Sequence, residues 1–227
     1  MKDQKLFVNQ SQALAVEMGR GSRSLYASFG KRALDIVLCL AALPILLIVF
    51  CGVWSANLGS GRQVIFAQPR VGRQGEMFTC YKFQTMVNDA DHVLEKICNE
   101  NPEVKAEWES FQKLSDDPRV TRAGKFLRET SLDELPQLWN VLIGDMSIVG
   151  PRPFMEDQDA LYRAAGGDAY YDVRPGITGL WQVAARNSTT FSARASFDNE
   201  YAKDISLVKD FRIIAATVGV MLSASGG

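Results

Sequence analysis

Two adjacent acids, Asp133 and Glu134, stand in the stretch Ser131-Leu-Asp-Glu-Leu-Pro-Gln-Leu138, and an arginine between two prolines follows in Gly150-Pro-Arg-Pro153. A carboxylate that can react and a guanidinium that can hold phosphate are the parts phosphoryl transfer needs. Both lie downstream of an uncharged run, Ile36 to Trp54, which points to a phosphate-bearing lipid as one reactant.

Ser131 and Glu134 fit the box in which a glutamate merely satisfies a backbone donor at a helix start. Pro136 opposes that reading, because inside such a helix it would lose a hydrogen bond and clash with Leu132 at about 3 kcal/mol, against about 1 kcal/mol for a cap. A helix from Pro136 to Ile143 that stops at Gly144 is locally cheaper, with proline first and glycine just past the end. It sets the two acids ahead of a helix start, where free backbone donors favour an ionised carboxylate or a substrate phosphate. An ionised aspartate is a competent nucleophile at phosphorus. Adjacent side chains point in different directions, so one acid can attack while the other binds metal or manages a proton. The competing reading is an ordinary Asp-Glu dipeptide on a solvated face.

Arg152 starts from a backbone restricted on both sides by Pro151 and Pro153, and its planar fork suits a bidentate phosphate contact. The alternative is a structural ion pair. Arg128 is either a second phosphate ligand or a surface helix charge.

The elements that must position these groups begin with the apolar run. At about 1.5 Å per helical residue, Ile36 to Trp54 is roughly 28 Å long, near the thickness of a bilayer core. Arg20, Arg23, Lys31 and Arg32 precede it and Arg62, Arg70 and Arg73 follow it, so positive charge does not select one cytoplasmic end. Pro44 near its middle should kink or break a helix. Together these features predict a re-entrant helix-hairpin; a proline-kinked span and a buried core helix are the alternatives. Asp35, at the edge of the run, is expected to pair with Lys31 or Arg32. Residues 1–30 read as a flexible tail, 31–58 as the membrane helix and 59–227 as a single compact cytosolic domain.

Within that domain, Gln63 to Ala67 and Met77 to Phe83 are β-prone runs around Gly72 and Gly75, which predicts a short hairpin. Between Val87 and Leu114, Val104, Trp108 and Phe111 recur at helical spacing, as in an amphipathic helix packed on its own domain or lying at an interface. Gly144 to Gly150 reads as a turn and a short buried strand, and Leu207 to Leu222 as another helix. The fold class is therefore α/β, mostly helical with a short β-hairpin. With 47% hydrophobic and 22% charged residues in 227, the chain can bury one ordinary core. A net charge of -1 gives no general attraction to nucleic acid. One histidine and four cysteines without a C-x-x-C pair offer little for a zinc site, and free thiols suit the cytosol.

Five ordered motifs carry a resemblance: Tyr81-Lys-Phe-Gln-Thr-Met86, Asp116-Asp-Pro-Arg-Val-Thr121, Ser131 to Gln137, Gly144 to Pro153, and Arg174-Pro-Gly-Ile-Thr-Gly-Leu-Trp-Gln182. With the preceding hairpin, and from about Lys31 to about Asp210, the chain closely resembles the bacterial sugar transferases, monotopic polyprenol-phosphate phosphoglycosyl transferases. The resemblance implies transfer of a hexose 1-phosphate from a UDP-hexose, glucose or galactose, to undecaprenyl phosphate with release of UMP, initiating exopolysaccharide assembly. It implies Asp133 as nucleophile, Glu134 as partner acid, and Arg128 and Arg152 as ligands of substrate phosphate. Mg2+ is the implied cofactor, with Asp133 as a metal ligand. The bacterial inner membrane at its cytoplasmic face is the implied location, with membrane lipid, downstream glycosyltransferases and a second copy of the chain as partners. Three departures stand out: Leu43-Pro44 for Ser-Pro, Gln84 where arginine is usual, and Ala185-Arg186-Asn187 for Gly-Arg-Asn. A non-catalytic membrane scaffold and a membrane-bound phosphatase are the competing functions.

Overall fold

The protein is described from a computed structural model that covers residues 25–57, 63–111, 114–185 and 189–224. It is mostly helical, with two small two-stranded sheets. Much of the N-terminal tail, Arg62, Arg186 and Asn187 lie outside these residues.

A π-helical turn, Tyr26–Gly30, runs into helix α1, Lys31–Asn57. Pro44 lies inside α1, and the element continues through it as one helix rather than two separated ones. Among the described residues this is the one helix long and apolar enough to cross a membrane. Ile36, Val37, Leu40, Ile45, Leu47, Ile48 and Trp54 are exposed, which a helix buried in a soluble core would not allow. A single stripe is covered: Cys39, Ala42 and Leu46 pack with Leu138, Val141 and Met146, and Phe50 meets Phe83 at 6.2 Å between centroids. These positions recur every three or four residues, so one face of α1 lies against the rest of the protein along most of its length.

Strands β1, Ile65–Val71, and β2, Met77–Phe83, form the expected hairpin, antiparallel with Ile65 opposite Phe83 and Val71 opposite Met77, although β1 runs on past the expected end at Ala67 through Pro69 to Val71. The turn needs Gln74 and Gly75 in the left-handed region, at φ of 62° and 80°. The tract between Val87 and Leu114 is two helices, α2 at Ala90–Glu100 and α3 at Pro102–Phe111. Pro102 explains the division, since it disfavours helical conformation at Asn101, whose φ and ψ are extended. Trp108 is half-buried beneath the Arg119 guanidinium at 5.3 Å, whereas Phe111 is exposed.

Helix α4, Arg122–Glu129, is capped by Thr121, whose hydroxyl accepts from the Gly124 N–H at 3.0 Å. A 3-10 turn, Leu132–Glu134, leads into α5, Gln137–Ile143. Pro136 precedes α5, and Gly144 ends it at φ 101°, as the sequence predicts. Strand β3, Ser147–Val149, pairs in parallel with β4, Gly176–Thr178. The connection holds α6, Asp159–Ala164. Helices α7, Leu180–Ala184, α8, Arg194–Lys203, and α9, Leu207–Ala224, complete the chain.

Asp35 does not pair with Lys31 or Arg32. Its carboxylate accepts from the Ser147 hydroxyl at 3.0 Å and the Ile148 N–H at 2.9 Å and is buried. Lys31 instead reaches Asp210 at 2.7 Å, and Arg32 donates to the Val141 and Leu142 carbonyls. The reason is positional: α5, β3 and α9 crowd the start of α1, so each charge meets a partner distant in sequence.

Candidate active site

The two acids share a turn but not an environment. Ser131 takes the left-handed conformation at φ 55° and makes no side-chain cap, so the capping-box alternative is not realised. Glu134 reaches across the fold instead. One of its oxygens accepts from Lys82 Nζ at 2.9 Å and from Arg152 Nη2 at 2.6 Å, and the other from Arg152 Nη1 at 3.3 Å. The arginine fork therefore lies on a protein carboxylate, which is the ion-pair alternative for Arg152. Asp133 is buried and makes no salt bridge of its own among the described residues.

Burial pushes the Asp133 carboxyl above the ordinary range and the Glu134 charge adds to this; Lys82, Arg152 and Arg128 oppose it. Burial acts the same way on Glu134, yet Arg152 and Lys82 outweigh it and hold that carboxyl well below the usual range. The pair is thus divided into a member whose ionised form is held by cations and a member whose ionised form burial disfavours, a division expected of acids with different tasks. Helix α5 has only 7 residues, so the side-chain cations dominate the electrostatics of this corner.

Each cation has a structural reason for its place. Lys82 sits on β2, whose backbone is tied to α5 by Asn140. That fully buried side chain accepts from the Tyr81 N–H at 3.1 Å and donates to the Thr79 carbonyl at 2.7 Å. Arg152 follows a close backbone approach: a Cβ on Gly176 would lie 2.1 Å from Gly150 N, so neither position tolerates a side chain. The Gly150 N–H bonds the Thr178 carbonyl at 2.8 Å and the Gly176 N–H bonds the Pro151 carbonyl at 2.7 Å. Beneath them Arg194 donates to the Arg152 carbonyl. Arg194 is buried among Phe154, Tyr162, Trp181 and Phe191, with its guanidinium 5.0 to 5.6 Å from their ring centres. Arg128 donates through Nε to the Thr85 hydroxyl at 3.0 Å and is otherwise exposed, with no ion pair among the described residues.

The structure thus brings Asp133, Glu134, Arg128 and Arg152 to one corner and adds Lys82 and Arg194, which the sequence reading did not single out. Lys82 lay inside a quoted motif, in a strand whose alternation was legible. Arg194 had no signal beyond its charge. Gln84 does not enter the ion network; its amide donates to the Met86 carbonyl at 3.0 Å. Pro44 is remote from the acids in sequence and exposed on α1.

As a magnesium site the donor set is sparse. The described residues hold no group of three or more His, Cys, Asp or Glu able to enclose an ion, and both Glu134 oxygens are engaged by cations. Asp133 is the available carboxylate, which fits Mg2+ only in the mode where substrate phosphates and water supply most ligands.

Comparison with known proteins gives the family of a chain with this motif order, apolar helix and acid-arginine corner. The sequence model described as "Bacterial sugar transferase" matches residues 26–224, and the chain belongs to that family. It is 45% identical over 199 residues to the UDP-galactose-lipid carrier transferase of Erwinia amylovora, covering 87% of this chain and 41% of that protein. It is 41% identical over 221 residues to the undecaprenyl-phosphate galactose phosphotransferase of Salmonella typhimurium, covering 97% and 46%. The exopolysaccharide production protein ExoY of Sinorhizobium fredii is 41% identical over 197 residues, covering 86% and 87%. The chain spans less than half the length of the first two relatives and most of the third.

Proposed function

We propose that this protein is a phosphoglycosyl transferase that moves a hexose 1-phosphate, glucose or galactose favoured, from a UDP-hexose to undecaprenyl phosphate. The observation that carries this reading is the unpaired, buried Asp133 beside a Glu134 clamped by Lys82 and Arg152. The names of the Erwinia and Salmonella relatives supply the substrate classes, a UDP-sugar and a lipid phosphate.

In the first step an ionised Asp133 oxygen attacks the sugar-bearing phosphorus, a phosphosugar-aspartate bond forms, and the bond to UMP breaks with its electrons leaving on UMP. In the second, the lipid phosphate oxygen attacks the same phosphorus and returns Asp133 as a carboxylate. Arg128 and the cationic corner receive the diphosphate, and Glu134 holds Lys82 and Arg152 facing it. A bound Mg2+, held by Asp133 and the substrate, would supply neutralisation of the diphosphate charge.

The exposed apolar face of α1 supports association with a membrane, and the reading puts the protein at the cytoplasmic face of the bacterial inner membrane. Contacts from Cys39 to Phe50 hold one face of α1 against the rest of the protein, which favours a helix that stays in one leaflet over a free span; that path requires a bend, for which Pro44 inside the continuous helix is the candidate point. Such a path would keep the acids at the depth of a lipid phosphate. A non-catalytic scaffold would not need a poised, unpaired acid. Enzyme given a UDP-hexose without lipid should accumulate a sugar-phosphate adduct on Asp133, released on addition of undecaprenyl phosphate. Turnover that survives in Asp133→Asn overturns the mechanism, and lipid-independent release of sugar phosphate would favour the phosphatase.

A further inference from the structure

Arg70 follows the apolar run in the sequence and reads there as one more flanking cation, but the fold puts it on the hairpin that carries Lys82. Opposite residues of an antiparallel pair share a face, and successive residues alternate between faces. Phe66 lies opposite Lys82, Gln68 opposite Cys80 and Arg70 opposite Phe78, so Arg70, Gln68 and Lys82 belong to one face. Arg70 Nη2 donates to Gln68 Oε1 at 2.6 Å, which turns the guanidinium back along β1 toward the Lys82 end. Gln68 in turn donates through Nε2 to Met155 Sδ at 3.3 Å, and the Val71 N–H bonds the Phe154 carbonyl at 2.9 Å. Arg70 therefore sits where β1 meets the segment just after Arg152.

Among the described residues Gln68 is the one hydrogen-bond acceptor of Arg70, and Arg70 forms no salt bridge. A guanidinium carries five N–H donors, so this single neutral contact leaves most of its capacity unused. Arginines with structural work in this fold meet acids or carbonyls instead: Arg119 pairs with Asp117, Arg163 with Asp159, and Arg174 donates to the Gly144 carbonyl. Arg70 is half-buried, and burial disfavours its charged form, the direction expected of a cation without a counterion.

We propose that Arg70 is a substrate-contacting residue that binds the phosphate of the UMP portion of the donor. The inference rests on the transfer reaction proposed above. In that reaction the sugar-bearing phosphorus lies against Asp133, beside the point where Lys82 and Arg152 converge on Glu134. Arg70 stands further along the same face of the hairpin, its backbone roughly 14 Å from that of Lys82 at about 3.4 Å per residue, and its turn toward Gln68 shortens the gap. A UDP-hexose carries a second phosphate and a nucleoside beyond the reacting phosphorus and can occupy that span, whereas in undecaprenyl phosphate only hydrocarbon follows the phosphate. A braced guanidinium suits the second phosphate, and its charge would stabilise UMP as it leaves.

The test measures UMP affinity by calorimetry on the full chain purified in a neutral detergent, with two variants. Arg70→Met removes the charge at similar length, and Gln68→Glu keeps the arginine but sets a carboxylate where the amide oxygen accepts, giving Arg70 a counterion. Each should weaken UMP binding about tenfold, as expected for one charged hydrogen bond, while the unfolding midpoint without ligand holds or, in Gln68→Glu, rises. Formation of the Asp133 adduct from subsaturating UDP-glucose or UDP-galactose should slow in step, and discharge of preformed adduct by undecaprenyl phosphate should keep its wild-type rate. UMP affinity unchanged in Gln68→Glu or in Arg70→Met overturns the proposal. So does a defect confined to discharge, which would assign Arg70 to the lipid phosphate, or a fall in the unfolding midpoint with affinity intact, which would make it structural. Wild type that binds UMP but forms no adduct refutes the reaction and leaves the affinity comparison standing; wild type that does not bind UMP overturns both.

Discussion

Arg152 and Glu134 can be separated as structural and catalytic partners by a double-mutant cycle. Glu134 accepts three charged hydrogen bonds, two from Arg152 and one from Lys82. Arg152→Met leaves this carboxylate, 12% exposed in its side chain, with Lys82 alone. Breaking a buried pair in this way costs about 3 to 5 kcal/mol, most of it from the stranded charge. Glu134→Gln strands the guanidinium instead and should cost a similar amount, reduced by the Asp133 charge nearby. The double variant strands neither, so its destabilisation should fall short of the sum by about 2 to 3 kcal/mol. Chemical unfolding of the purified protein in one neutral detergent, followed by tryptophan fluorescence, measures all four corners. Turnover should behave differently: both single variants and the double should be slow, because restoring stability does not restore the cation that faces the diphosphate. A coupling energy under about 0.5 kcal/mol would show that the fork does not hold Glu134 in solution. A double variant that regains turnover along with stability would show that Arg152 serves the fold alone.

Arg152→Lys should retain the fold but lose most turnover, since a point charge cannot reproduce the fork; normal turnover refutes the fork's role. Because the Asp133 carboxyl is raised and Glu134 is lowered, activity and stability should part company on the acid side. Asp133 loses its reactive ionised form as pH falls through its raised value. The stability that Glu134 contributes is present above its unfolded value and is lost only as pH falls through its lower folded one. Turnover should therefore decline at a pH where circular dichroism is unchanged, and coincident losses would contradict the division. Asn140→Leu leaves the Tyr81 N–H and the Thr79 carbonyl unpaired in the core and should destabilise by about 2 to 5 kcal/mol, read as a lower unfolding midpoint. For topology, cysteine reporters at Ser22 and Ser60, both outside the described residues, are placed in a background lacking exposed Cys51 and half-buried Cys98. Both should resist an impermeant reagent in intact cells, and labelling of Ser22 alone would show a true span.

Local chemistry made several elements readable from the sequence. Pro136 and Gly144 bound α5 because proline fits a helix start and glycine takes a positive φ past its end. Alternating β-formers around Gly72 and Gly75 specify the hairpin, and an uncharged stretch specifies α1. The adjacent acids and the proline-held arginine were legible as residue types suited to phosphate. Their relation was not. Glu134 meets Lys82 and Arg152 from 52 and 18 positions away, and no sequence period reports contacts at such separations. Which acid stays ionised depends on burial and on cations converging from β2 and the segment after β3, quantities that exist only once those elements pack. The same holds for Asp35, whose sequence neighbours offered cations and whose actual partners are Ser147 and Ile148. Sequence fixes what each short segment prefers because those preferences act through adjacent backbone; tertiary structure decides which charges meet, because the folded core brings distant side chains within hydrogen-bond range and removes the water that would otherwise screen them.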